Sequence, residues 1–143
     1  MEKIANKFDL PDQCRSYKQL TSSKRRFDAP NSRSNVNCDK SGHSKQQEDW
    51  QGEGFYRIEG GAGTKLSENC SSYKYGNCGT HLGFHLMGGH PATPGQTVDR
   101  KATNYGCIDS SNDDVYIQVT NCGTYFVYNL KELRRCDLGY CTE

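Results

Sequence analysis

Cys78, His81, His85 and His90 fall within thirteen residues of one another, and zinc readily takes four Cys or His ligands. A secreted zinc-dependent hydrolase built on His81, His85 and His90 is therefore the first chemistry to weigh. Two features speak against it. Gly83 weakens a helical i, i+4 arrangement of His81 and His85, and the residues between them, Leu82, Gly83 and Phe84, supply no general base of the HExxH kind. The simpler expectation is a disulfide-bonded Cys78 with the histidines in or near loops. Asp109, Asn112, Asp113 and Asp114 could gather calcium, yet they lack EF-hand spacing and read as a solvated turn. Gly60, Gly61 and Gly63 precede Thr64-Lys65, but the GxxxxGK string of a phosphate cradle is missing. Lys24-Arg25-Arg26 reads as a solvated basic face. Asn69-Cys70-Ser71 is the one N-glycosylation sequon, with a cysteine at its centre. No GxSxG elbow is present. The expectation is no catalytic residue, no metal and no cofactor.

The eight cysteines, at positions 14, 38, 70, 78, 107, 122, 136 and 141, span nearly the whole chain. An even number fits full pairing, and 105 pairings are open. A bridge that closes a loop of about 100 residues removes unfolded-state entropy worth about 4–5 kcal/mol in the chain-entropy picture. That contribution is needed, because Leu, Ile, Val and Phe number only 22 of 143 residues, below the usual share of a self-sufficient apolar core. The formal net charge of +1 argues against disorder, which calls for a strong charge imbalance. It also leaves no basic face for nucleic acid. No apolar run approaches a membrane span. Residues 1–13 lack the apolar segment of a secretory signal, although the cysteines require an oxidising compartment, so an excised extracellular module is expected.

These residues must be positioned by short strands. Residues 115–120 and 125–130 alternate and are joined by Asn121-Cys122-Gly123-Thr124, a connection suited to positive φ. Val115, Ile117 and Val119 share one face; in the returning strand either Tyr125, Val127 and Asn129 or Phe126, Tyr128 and Leu130 point inward. Residues 55–59 form another strand, ending in a glycine cluster that must turn or admit a close backbone, and residues 80–87 a further one. Residues 130–135 could add a short helical turn. Residues 19–51 read as a long polar surface excursion anchored at Cys38. The fold class is all-β or β-rich: a small disulfide-stabilised single domain with long irregular loops and at most short helices.

Several strings in order carry a resemblance: EGFYRIEGGAGTK at 53–65, Cys78-Gly79-Thr80, GGHP at 88–91, VDRKA at 98–102, IQVTNCGTYFVYNL at 117–130 and CDLGYC at 136–141. With Cys14-x-x-Tyr17-x-x-Leu20 and Cys38-Asp39, they resemble the eight-cysteine extracellular module of the uromodulin and pancreatic zymogen-granule glycoprotein family, over residues 14–141, leaving 1–13 as an N-terminal extension. The resemblance implies a β-rich, non-enzymatic structural or adhesive module of a secreted or membrane-anchored glycoprotein, accompanied by EGF-like and zona-pellucida modules. It spaces its neighbours or presents a surface to an extracellular protein or glycan. The implied pairing is Cys14 with Cys122, Cys38 with Cys136, Cys70 with Cys107, and Cys78 with Cys141. Some members carry two further cysteines, one at the position of Ala102 and one beside Cys107; both are absent here, so the count stays even. In that family a mannose-rich glycan just before the His-Pro is associated with bacterial fimbrial adhesins. This chain has Met87-Gly88-Gly89 there, so that role does not transfer to this position. Asn69 would be a different site on a different loop.

Overall fold

The computed structural model describes residues 10–29, 37–69, 77–80, 82–104 and 114–143. Among them, seven strands form one mixed sheet: β1 (Lys18–Leu20), β2 (Gly54–Ile58), β3 (Leu82–Met87), β4 (Thr97–Thr103), β5 (Val115–Asn121), β6 (Phe126–Leu130) and β7 (Leu138–Tyr140). Their order is β1-β2-β6-β5-β4-β3-β7. The centre is antiparallel, and the two outer pairs, β1 with β2 and β3 with β7, are parallel. Helical structure among the described residues is limited to single 3-10 turns such as Asp12–Cys14 and Ser23–Arg25. A β-rich domain with at most short helices is what the composition led us to expect.

The β5–β6 hairpin follows its sequence closely. Gly123 takes φ +96° in the connection, its N–H donating to Asn121 Oδ1, while Cys122 N–H returns to Tyr125 O. Ile117 and Val119 face the main core, and β6 contributes Phe126, Tyr128 and Leu130 to it. Val127 is equally buried on the opposite face, where Cys14 and Cys122 pack with Leu10, Tyr17, Phe55 and Tyr125. Both faces of β6 are thus covered. Residues after Leu130 do not form a helical turn: they run irregularly to β7, held by Leu133 N–H on Asp39 O at 3.2 Å.

Two glycines sit where a side chain would collide. A Cβ on Gly63, at φ +97°, would lie 2.6 Å from Glu143 O, which is the close backbone approach the glycine cluster called for. A Cβ on Gly83, in the middle of β3, would lie 2.1 Å from Cys141 Sγ and 2.8 Å from Cys78 Sγ. That strand packs directly on a disulfide.

Residues 19–51 are not the surface excursion their polarity predicts. Ser22, Arg25, Cys38, Asp39, Gln47, Asp49 and Trp50 are all buried. Trp50 stacks on Tyr56 with ring centroids 5.2 Å apart and planes 5° from parallel. Tyr56 Oη accepts from Gln51 N–H and donates to Gly52 O, and burial pushes this phenol up to about 12. Among the described residues of this segment, the longest wholly exposed run is a short tip, residues 41–45. The segment is inside because its polar groups satisfy one another.

Candidate functional site

Ser22 begins the 3-10 turn Ser23–Arg25, its Oγ accepting from Lys24 N–H at 3.3 Å. The turn sends the Arg25 side chain inward to 0% exposure, which corrects the reading of Lys24-Arg25-Arg26 as a solvated face. The guanidinium forks onto two carboxylates. Nη1 and Nη2 reach Asp39 at 2.7 and 2.5 Å, Nε and Nη2 reach Asp49 at 2.9 and 2.7 Å, and Nη1 also donates to Tyr140 O at 3.2 Å. Two carboxylates facing one cation leave an excess negative charge, and three backbone N–H groups meet it: Thr21 and Ser22 donate to Asp49, and Tyr140 to Asp39. Burial alone would lower the Arg25 guanidinium, but Asp39 and Asp49 outweigh it and hold it above its ordinary value. Burial would raise Asp49, yet its bonds from Arg25, Ser22 and Thr21 bring it below the usual carboxylate range. Both shifts keep the Arg25 and Asp49 side chains in their charged forms.

A second polar cluster lies around the GGHP turn. His90 Nδ1 is hydrogen-bonded to the Glu68 carboxylate, and Nε2 lies 2.8 Å from Tyr128 Oη. Tyr128 Oη also accepts from Leu66 N–H at 3.0 Å. The imidazole packs on Phe126 with centroids 4.5 Å apart. Neighbouring backbone is pinned, with Arg100 Nε donating to Gly89 O and Asn121 Nδ2 to Pro91 O, each at 2.8 Å. Burial lowers His90 below its ordinary value despite the opposing pull of Glu68, and burial raises Tyr128.

Among the described residues, those considered for zinc are not placed as a ligand set. His81 lies outside the described residues, His85 is buried within β3, and both nitrogens of His90 are engaged as above. Cys78 is bonded to Cys141. Among the described residues no group of three or more His, Cys, Asp or Glu is placed to hold a metal ion. Of the acidic cluster only Asp114 is described, 3.6 Å from Lys101 Nζ. Asn69 is half-buried, its N–H donating to Ser67 Oγ at 3.1 Å.

Three disulfides are present among the described residues: Cys14–Cys122, Cys38–Cys136 and Cys78–Cys141, closing sequence separations of 108, 98 and 63 residues. These are three of the four pairs the family resemblance implies; Cys70 and Cys107 lie outside the described residues. There is no free cysteine among the described residues. On the sheet's far side Arg57 covers the Tyr125 ring at 3.9 Å and donates to Tyr17 Oη at 3.1 Å, while Tyr116 is 70% exposed on β5. The sequence singles out His90 but not its partners Glu68 and Tyr128; a carboxylate in the stretch after the glycine cluster and a phenol at a core-facing position of β6 were the signals.

A mixed β-sheet stapled by long-range disulfides, with Arg25, Asp39 and Asp49 buried against one another, is the architecture of a small cysteine-framed module. Its family is shown by sequence comparison as well. The eight-cysteine domain of uromodulin-like proteins matches residues 56–142, and the chain belongs to that family. Rat uromodulin is 31% identical over 144 residues, covering 97% of this chain and 19% of that protein. The rat pancreatic secretory granule membrane major glycoprotein GP2 is 34% identical over 94 residues, covering 63% of this chain and 17% of that protein. The dog GP2 is 29% identical over 134 residues, covering 92% and 23% respectively. The chain spans about a fifth of the length of the curated relatives it matches.

Proposed function

We infer that this chain is a non-enzymatic module of a secreted or membrane-anchored extracellular glycoprotein, which spaces neighbouring domains or presents a surface to a protein or glycan partner. The observation that carries the reading is the set of three long-range disulfides with no free cysteine among the described residues, a frame that persists only in an oxidising compartment. Residues 14–141 constitute the module, residues 1–13 an extension, and Cys70–Cys107 the fourth bridge. EGF-like and zona-pellucida modules are its neighbours in a longer chain. The tip at 41–45 is the contact surface: it is exposed yet rooted in a buried base, with Ser41 bonded to Glu132 and Cys38 to Cys136. Asn69, in the one sequon of the chain, is the candidate glycan site.

The test begins with the intact chain expressed through a secretory pathway. It is denatured without reductant, alkylated and weighed, and its zinc content is measured. No alkylated cysteine and no stoichiometric zinc is the expected result; several free thiols, or one bound zinc per chain, would sink the reading in favour of the hydrolase. Glycosidase treatment should shift the mass of the wild type and leave Asn69→Gln unmoved. Tetramers of the chain on glycan and cell-surface protein arrays should lose their binding when residues 41–45 are replaced by Gly and Ser; binding that survives removes the tip from the surface.

A further inference from the structure

The chain of hydrogen bonds through His90 has a direction. Leu66 N–H donates to Tyr128 Oη at 3.0 Å, so the phenolic hydrogen is left to point elsewhere, and His90 Nε2 stands 2.8 Å away. Nε2 must then be an unprotonated acceptor, and the ring's single hydrogen sits on Nδ1, facing Glu68. Every donor has an acceptor only while the imidazole is neutral. A proton on Nε2 would aim two N–H groups at Tyr128 Oη and force the hydroxyl hydrogen off its acceptor. Tyr128 is 0% exposed, so no solvent stands ready to take that hydrogen, and an unsatisfied buried donor is costly. The protonated ring keeps a partner only at Glu68, which is exposed and on the strap.

We propose that His90 is an acid-released latch: protonation at Nε2 detaches the ring from Tyr128, makes the buried Tyr128 hydroxyl turn toward a new acceptor and so weakens its bond from Leu66, and loosens the strap of residues 64–69 from the sheet. The strap keeps its other ties, from Leu86 N–H to Ser67 O, from Ser67 N–H to Cys141 O, and from Thr64 and Lys65 N–H to Glu143 O. Its response is therefore local loosening with the frame intact, and it alters the presentation of Asn69 at the strap's end. The charged groups facing the ring are Glu68 and Lys65 from the strap and Glu143 from the C-terminal segment, with Arg100 of β4 on the adjoining carbonyl. Glu68 and Glu143 favour the proton; Lys65 and, above all, burial oppose it. Because the closed latch holds the imidazole below its ordinary value of about 6.5, the open form takes up the proton first. The latch is fully closed above that value and loses stability as pH falls through the lower, closed-state value.

Residue-resolved amide hydrogen exchange on the intact chain tests this, read as protection after correction for the intrinsic pH dependence, together with nitrogen-15 spectra of the His90 ring. Between pH 7.5 and 5 the Leu66 amide should lose about tenfold in protection, the scale of one lost hydrogen bond, in step with Nε2 protonation. Leu133 N–H, bonded to Asp39 O and to no residue of the latch, should keep its protection. His90→Gln, which cannot titrate, should give a flat Leu66 profile. A Leu66 protection equal at both pH values, an equal loss in His90→Gln, or a ring hydrogen found on Nε2 at pH 7.5 would each overturn the latch; the wild-type measurements decide it even if the variant does not fold.

Discussion

The main core and the Arg25 seam are both buried, but they are assembled on opposite principles. In the core, Leu20, Tyr56, Ile58, Phe84, Ile117, Val119 and Leu130 arrive from strands whose alternation already sorts inside from outside. Each contributes area removed from water, and a neighbour can settle partway into a vacancy. In the seam, one guanidinium, two carboxylates and the backbone of residues 21, 22 and 140 meet from four separate stretches of chain. Little apolar area is involved, and every partner is used. A loss there leaves a buried charge without its counterpart, which packing cannot mend. The lesson is that a chain poor in aliphatic residues can place a polar seam where a second apolar core would otherwise lie.

The sharpest way to break that contrast is Arg25→Met. Asp39 and Asp49 would remain buried without a cation, and denaturant unfolding should show a loss of about 3–5 kcal/mol. Arg25→Lys should recover little, since one ammonium cannot fork onto both carboxylates. Gly83→Ala probes the junction of sheet and disulfide: the added methyl meets Cys141 Sγ, and overpacking should cost about 1–3 kcal/mol in the same assay. Ile117→Val, in the middle of the apolar core, should cost only about 0.5–1.5 kcal/mol. Tyr116→Ser, on the open face of β5, should stay within about 0.5 kcal/mol of wild type in thermal or urea unfolding. If Ile117→Val proved more harmful than Arg25→Met, the seam would be an ornament and the apolar core the true framework.

What the sequence disclosed divides along the same line. The β5–β6 hairpin was readable because Val115, Ile117 and Val119 repeat with period 2 and Asn121 to Thr124 supply a turn. β4 was not, because Arg100 stands between Val98 and Ala102 on their shared face and breaks the apolar alternation. β7 is three residues long, too short for any period to register. Arg25 was misjudged because a basic triplet ordinarily stays in water; its burial depends on carboxylates 14 and 24 residues further on. His90 was noticed for its type, while Glu68 and Tyr128, 22 and 38 residues away, are joined to it only by the fold. Local pattern carries local structure, and a polar cluster made of distant segments leaves no local trace.

The treatment of β7 has a further consequence. Asp39 lies along its outer side, its N–H bonded to Leu138 O and its carboxylate accepting from Tyr140 N–H, while Arg25 takes Tyr140 O. An outermost strand with unmet amides and carbonyls is a template on which a second chain can add itself and start an aggregate. Here a side chain and a loop occupy those positions, so the groups that anchor the interior also serve as a stopper against strand addition. Secreted Arg25 variants should therefore fail first by self-association in the secretory pathway, before their loss of folding free energy is otherwise apparent.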